Sequence, residues 1–149
     1  MFGNPKSLWP SKVFCLIASL MCFVGLAHGE PLILVANPKS QVSQMNKSEI
    51  KDILLGRKIF TSNESRIRVF LPSLDDQAAR DFVHSYTGMD QQQFLAYWRR
   101  RLFSGRGTPP LFVEPSSEII TRVQGSDGGL GLVPSTQDKK DLNTVSIQD

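Results

Sequence analysis

The longest apolar run in the chain, Val13–Ala27, carries no charge and follows Lys6 and Lys12. A membrane-spanning helix wants about 20 apolar residues, and this run has 15. Small residues at Ala27 and Gly29 then stand at −3 and −1 of a cleavage point before Glu30. The pattern predicts a secretory signal peptide over residues 1–29, with Gly25–Ala27 as a second acceptable cleavage point. An uncleaved anchor is the alternative, and the short run argues against it. Beyond it, Pro31–Ala36 is a short continuous apolar stretch stopped by Asn37-Pro38, which predicts a strand buried on both faces. Residues 46–55 repeat apolar positions with helical spacing at Ile50, Ile53 and Leu54. Asn46 or Ser48 is placed to cap this helix and Gly56 to stop it. Arg66–Leu71 alternates polar and apolar residues and ends at Pro72, a strand.

The second half continues in the same manner. Asp75–Thr87 is a helix with Ala79, Phe82, Val83 and Tyr86 on one stripe and Gly88 at its end. Asp90 caps a third helix running to Phe103, with stripe Phe94, Leu95, Trp98 and Leu102, closed by Gly105. Leu111–Val113 is a strand candidate, and Ser116 or Ser117 opens a short helix through Val123. Leu130–Val133 is an apolar strand after a glycine-rich loop, and Thr144–Ile147 alternates as an edge strand would. Strands separated by helices predict an α/β fold: one domain over residues 30–149, a mixed sheet flanked by helices.

Composition narrows the class. Both cysteines, Cys15 and Cys22, fall within the expected signal peptide. An exported domain without them depends on an ordinary hydrophobic core rather than on disulfides. Lys6 and Lys12 are two of the 17 basic groups set against 14 acidic ones, so residues 30–149 are close to neutral. That balance lacks the strongly basic face expected of a nucleic-acid partner. Catalytic chemistry is hard to assemble. His84 is the one histidine in residues 30–149 and lies off its helix's apolar stripe. No Cys/His spacing suits a metal, and no nucleophile–base pair is visible. The expectation is therefore a protein that is not an enzyme and holds no cofactor. Gly125–Gly131 lacks the Lys-Ser/Thr of a phosphate-cradling loop and precedes a strand, so it reads as a turn.

The order of motifs resembles one protein family. Ser48-Glu-Ile-Lys-Asp-Ile-Leu-Leu-Gly56 is similar to the Ser-x-x-Glu-Leu-x-x-Ile-Phe-Leu-Gly helix of phosphate ABC-transporter substrate-binding proteins. Arg66–Leu71 resembles that family's following strand, and Gly129-Leu-Gly-Leu-Val133 its later Gly-x-Ile-Gly-Tyr-Val strand. The stretch from Tyr97-Trp98 to Gly105-Arg-Gly107-Thr-Pro-Pro110 resembles short, single-lobe members. The resemblance spans most of residues 31–147. It implies one lobe of a type II periplasmic binding protein, located in the periplasm or secreted. The implied partners are phosphate or another oxyanion and an inner-membrane transporter or sensor. In the family, an arginine and a Ser-Gly-Thr run enter the helix after the Val-rich strand and hold the anion with help from the helix dipole. Here the matching segment is Leu71-Pro-Ser-Leu-Asp-Asp-Gln-Ala78. The arginine is absent, and Asp76-Gln77-Ala78 replace Ser-Gly-Thr. Carboxylates at Asp75 and Asp76 repel an incoming anion at close range.

The remaining oxyanion candidates are Ser40, Ser73, Arg106, Gly107 and Thr108, on loops that end strands or begin helices. Arg106 lies between Gly105 and Gly107, and such glycines can present backbone N–H groups to an anion. The same residues read more simply as a helix C-cap followed by a turn before Pro109-Pro110. Arg99, Arg100 and Arg101 cannot share one helix face. Arg99 and Arg101 flank the apolar stripe, either as a solvated rim or, with Tyr97, as a surface for a protein partner.

Overall fold

The computed structural model describes residues 30–149. The expected signal peptide, residues 1–29, lies outside them. Seven strands and four α-helices follow in chain order. Strands are β1 Leu32–Ala36, β2 Gln44–Asn46, β3 Ile67–Leu71, β4 Leu111–Phe112, β5 Gly128–Pro134, β6 Asn143–Thr144 and β7 Ser146–Gln148. Helices are α1 Lys47–Leu54, α2 Gln77–Thr87, α3 Gln91–Phe103 and α4 Ser116–Gln124. No described helix is long and apolar enough to cross a membrane.

Five strands form one sheet in the order β4-β3-β5-β1-β6. β3 runs parallel to β4 and β5, while β1 runs antiparallel to β5 and β6. The sheet is therefore mixed, as the alternation of strands and helices predicts. Its two faces carry separate apolar layers, because successive side chains of a strand point to opposite sides. On one face Leu34, Ala36, Leu71, Leu130 and Leu132 pack with α1, α2 and α3. On the other, Val35, Phe70 and Val133 meet Ile119, Ile120 and Val123 of α4. Gly131 sits where α4 crosses β5; a Cβ there would lie 2.7 Å from Ile119 Cγ2 and Val123 Cγ2. The missing side chain lets helix and sheet close.

The caps explain where the helices begin. Asn46, not Ser48, caps α1: its side chain accepts the Glu49 N–H at 2.8 Å, and Glu49 returns a bond to the Asn46 N–H. Asp76 caps α2 and Asp90 caps α3, the latter in a second reciprocal box with Gln93. Ser116 opens α4 as expected, and Pro115 occupies the cap position without a side-chain bond. The Thr144–Ile147 strand is split. β6 extends the large sheet beside β1, whereas β7 leaves it to pair in parallel with β2. Buried Val145 lies between the two, with its N–H bonded to Leu34 O. In α3 the expected stripe is half right. Phe94 and Trp98 are buried, but Leu95 and Leu102 are exposed.

Candidate functional site

Strand β3 separates the candidate site residues into two groups at its two ends. At its carboxyl end the chain passes through Pro72, Ser73 and Leu74 to Asp75 and the α2 cap Asp76. Ser73 Oγ accepts the Asp75 N–H at 3.2 Å and donates to the Asp75 carboxylate at 3.2 Å. The Asp76 carboxylate accepts the Ala78 N–H at 3.0 Å. Arg80 is the nearby cation, but its guanidinium donates to the Leu74 and Asp75 carbonyls at 2.7 and 2.8 Å and to Gln77. Across a shallow hollow stand Glu114, Pro115 and Ser116, at the start of α4. In open α/β sheets, ligands bind outside the carboxyl ends of the strands. In this chain that end carries Asp75, Asp76 and Glu114.

At the amino end of β3 the charge is reversed. Arg66 and Arg68 are both exposed. Arg66 Nη2 donates to Thr108 Oγ1 at 3.1 Å, drawing the segment after Gly107 against the strand. Together with Lys58 they border a cleft of about 250 Å³ between the exit of α1, β3 and the Thr108–Leu111 segment. Its apolar lining comes from Ile53, Ile59, Val69, Pro110 and Leu111. Lys58 donates to the Glu49 carboxylate at 2.7 Å. That bond, with the Asn46 N–H, holds the Glu49 carboxyl below its ordinary value.

The other named residues have internal duties. Ser40 is fully buried, and its hydroxyl donates to Asn37 O at 2.6 Å. Asn37 in turn donates to the Val123 and Gln124 carbonyls, both at 3.0 Å, tying the exit of β1 to the end of α4. Arg106 is exposed, and its backbone N–H donates to Arg101 O at 2.9 Å. Gly107 adopts φ +94 with the Arg101 guanidinium against it. Of Arg106, Gly107 and Thr108, the structure brings Thr108 against Arg66. Ser73 lies at the opposite end of β3.

Helix α3 uses three side chains to close the end of α1. Trp98 Nε1 donates to Leu54 O at 3.1 Å, Tyr97 Oη to Leu55 O at 2.8 Å and Arg101 Nη2 to Gly56 O at 3.3 Å. The Leu54 and Leu55 carbonyls are among those that α1 leaves without helical partners at its end, and Gly56 follows directly after its cap. The guanidinium sits 5.7 Å from both ring centroids, and its positive charge suits the negative end of α1. Tyr97 and Arg101 therefore point inward, while Arg99 remains exposed. His84 is exposed, as its position off the stripe predicts. Among the described residues, no three His, Cys, Asp or Glu side chains group to hold a metal ion. Arg66 and Arg68 were not singled out from the sequence, because alternation along a strand makes them look like an ordinary solvent face.

No protein-family model and no curated protein sequence matches this chain. Solved structures do match. An ABC-type phosphate transport receptor from Vibrio cholerae superposes with a TM-score of 0.60 at 14% identity, over 79% of this chain and 46% of the receptor. A putative phosphate ABC transporter substrate-binding protein from Clostridium perfringens, with bound phosphate, gives 0.59 at 17% identity, over 79% and 45%. PstS from Borrelia burgdorferi gives 0.61 at 12% identity, over 80% and 48%. The likeness is one of fold. The chain spans about half the length of these structures.

Proposed function

We propose that this chain is an exported, non-enzymatic lobe of the solute-binding type that takes phosphate or another oxyanion on behalf of an ABC transporter or a sensor. The observation that carries this reading is the superposition of the described domain on about half of a phosphate transport receptor and of a phosphate ABC transporter substrate-binding protein with bound phosphate. Export rests on the signal-like pattern of residues 1–29. Calorimetric titration of the purified protein with phosphate, sulfate and molybdate at low salt tests it. A saturable heat with one of these anions is expected, and no heat with any of them overturns the reading.

One observation favours a second reading, a lobe that has lost its ligand and serves as a protein-interaction module. Carboxylates occupy the strand ends where an anion would otherwise sit, and Ser73 is bonded to one of them. With Tyr97 and Arg101 turned inward, the contact surface of such a module narrows to Arg99 and Arg106. A pull-down from envelope extract would then recover a partner with the wild type and lose it on Arg99→Glu with Arg106→Glu. Recovery unchanged by charge reversal removes that surface from consideration.

A further inference from the structure

The cleft at the amino end of β3 combines features that an inorganic ion does not need. Arg66 and Arg68 border it, and neither is in an ion pair among the described residues. The carboxylates nearby are engaged elsewhere: Asp127 with Lys39, Glu49 with Lys58, and Asp52 with Arg57. Arg66 uses one donor on Thr108, leaving others of its five free. The Thr108 hydroxyl accepts that bond and keeps its own proton to donate. These groups suit an oxyanion head, which guanidinium can grip bidentately.

The rest of the lining is largely apolar. Ile59 and Leu111, at 42% and 43% exposure, stand open at the cleft. The opening has a cause in the sheet. β4 pairs with β3 only from Phe70 onward, so the edge of β3 before that point has no β4 residue beside it. The volume, about 250 Å³, lies just under the ~300–1,000 Å³ of small-molecule sites. It fits one compact molecule.

We infer that this cleft binds a compact organic oxyanion, with its carboxylate or phosphate head on Arg66, Arg68 and Thr108 and its apolar body on Ile59 and Leu111. This rests on the solute-binding reading for its class of function but not on the inorganic ligand. It also places the site at the opposite end of β3 from Asp75 and Asp76.

Calorimetry on the purified protein tests the assignment, with phenylacetate and phenyl phosphate as the organic probes and inorganic phosphate as the comparison. At least one organic probe is expected to bind about tenfold more tightly than inorganic phosphate, because it alone covers apolar surface. The Arg66→Ala/Arg68→Ala variant is expected to weaken it about tenfold, the loss of charged hydrogen bonds. Ile59→Ser with Leu111→Ser lowers organic binding while sparing inorganic phosphate. Ser73→Ala with Asp76→Asn, at the far end of β3, leaves binding within about twofold, since asparagine also caps a helix. All four substituted positions in the first two variants are exposed, so circular dichroism should match the wild type. Organic binding that ignores the arginine substitutions, or no organic binding at all, overturns the assignment. Inorganic phosphate binding that survives in that case leaves the solute-binding reading standing. Organic binding lost with the arginines, without any inorganic binding, keeps the cleft and removes the inorganic ligand.

Discussion

At the scale of single residues, the contact between Gly56 and Trp98 joins helix stop and core. Gly56 has φ +64, the left-handed region that favours glycine. A Cβ there would lie 2.5 Å from Trp98 Cη2. Trp98 is buried and bonded through Nε1 to Leu54 O, so the ring has no free direction in which to yield. Gly56→Ala combines backbone strain with overpacking and is expected to cost about 2–4 kcal/mol. Urea unfolding measures it, and a loss under about 0.5 kcal/mol, the scale of ordinary surface changes, would show that the ring gives way. The sequence marked Gly56 as a helix stop and Trp98 as core. Their contact, and the inward turn of Tyr97 and Arg101, arise from an approach between residues more than forty positions apart, which periodicity does not encode. Phe103 shows the opposite case, since it ends α3 at 89% exposure although it is among the most apolar residues of that helix.

At the scale of elements, the local signals were the legible ones. Side-chain caps and glycine stops act within a few residues, so α1, α2 and α3 could be read closely from the sequence. β2 was missed, and the Thr144–Ile147 segment was read as one strand, because strand pairing is decided by partners far along the chain. The α1 cap can be measured directly. Asn46→Ala removes the side-chain oxygen that accepts the Glu49 N–H and is expected to cost about 1 kcal/mol, whereas Ser48→Ala, at an exposed position without a capping bond, changes stability by less than about 0.5 kcal/mol. A reversed order in thermal melts would assign the cap to Ser48. The same helix carries a pH-dependent term. The Lys58 bond and the Asn46 N–H hold the Glu49 carboxyl below its ordinary 4.5. A depressed carboxyl pKa contributes stability above the unfolded value and loses it as pH falls through the folded one. Both side chains are more than a third exposed, so the pair contributes only about 0.5 kcal/mol. Lys58→Met should show that deficit in urea titrations at pH 7 and converge with the wild type as pH drops below 4.5. A deficit that persists unchanged at pH 3 would assign it to packing of the lysine stem.

At the scale of the whole molecule, the mixed sheet is the common wall of two apolar layers, and it also separates a carboxylate-rich end from an arginine-rich end along β3. The α/β class was readable from the order of elements. The division of the candidate site was not, because Ser73 and Thr108 come to opposite ends of one strand only after β4 pairs beside β3. The shared wall has a mechanical consequence. Residues alternating along β1 and β5 belong to different layers: Leu34, Leu130 and Leu132 to one, Val35 and Val133 to the other. Neither layer can loosen without moving strands that the other needs. Ile119 is fully buried in the α4 layer, and Ile119→Ala is expected to cost about 2–5 kcal/mol. If the sheet couples the layers, the loss appears equally in native-state hydrogen exchange at Val123, beside the substitution, and at Val83 of α2, across the sheet. Protection falling at Val123 alone would instead make α4 a separate unfolding unit. The Gly131 contact argues against that outcome, since it presses α4 onto the strand that both layers share.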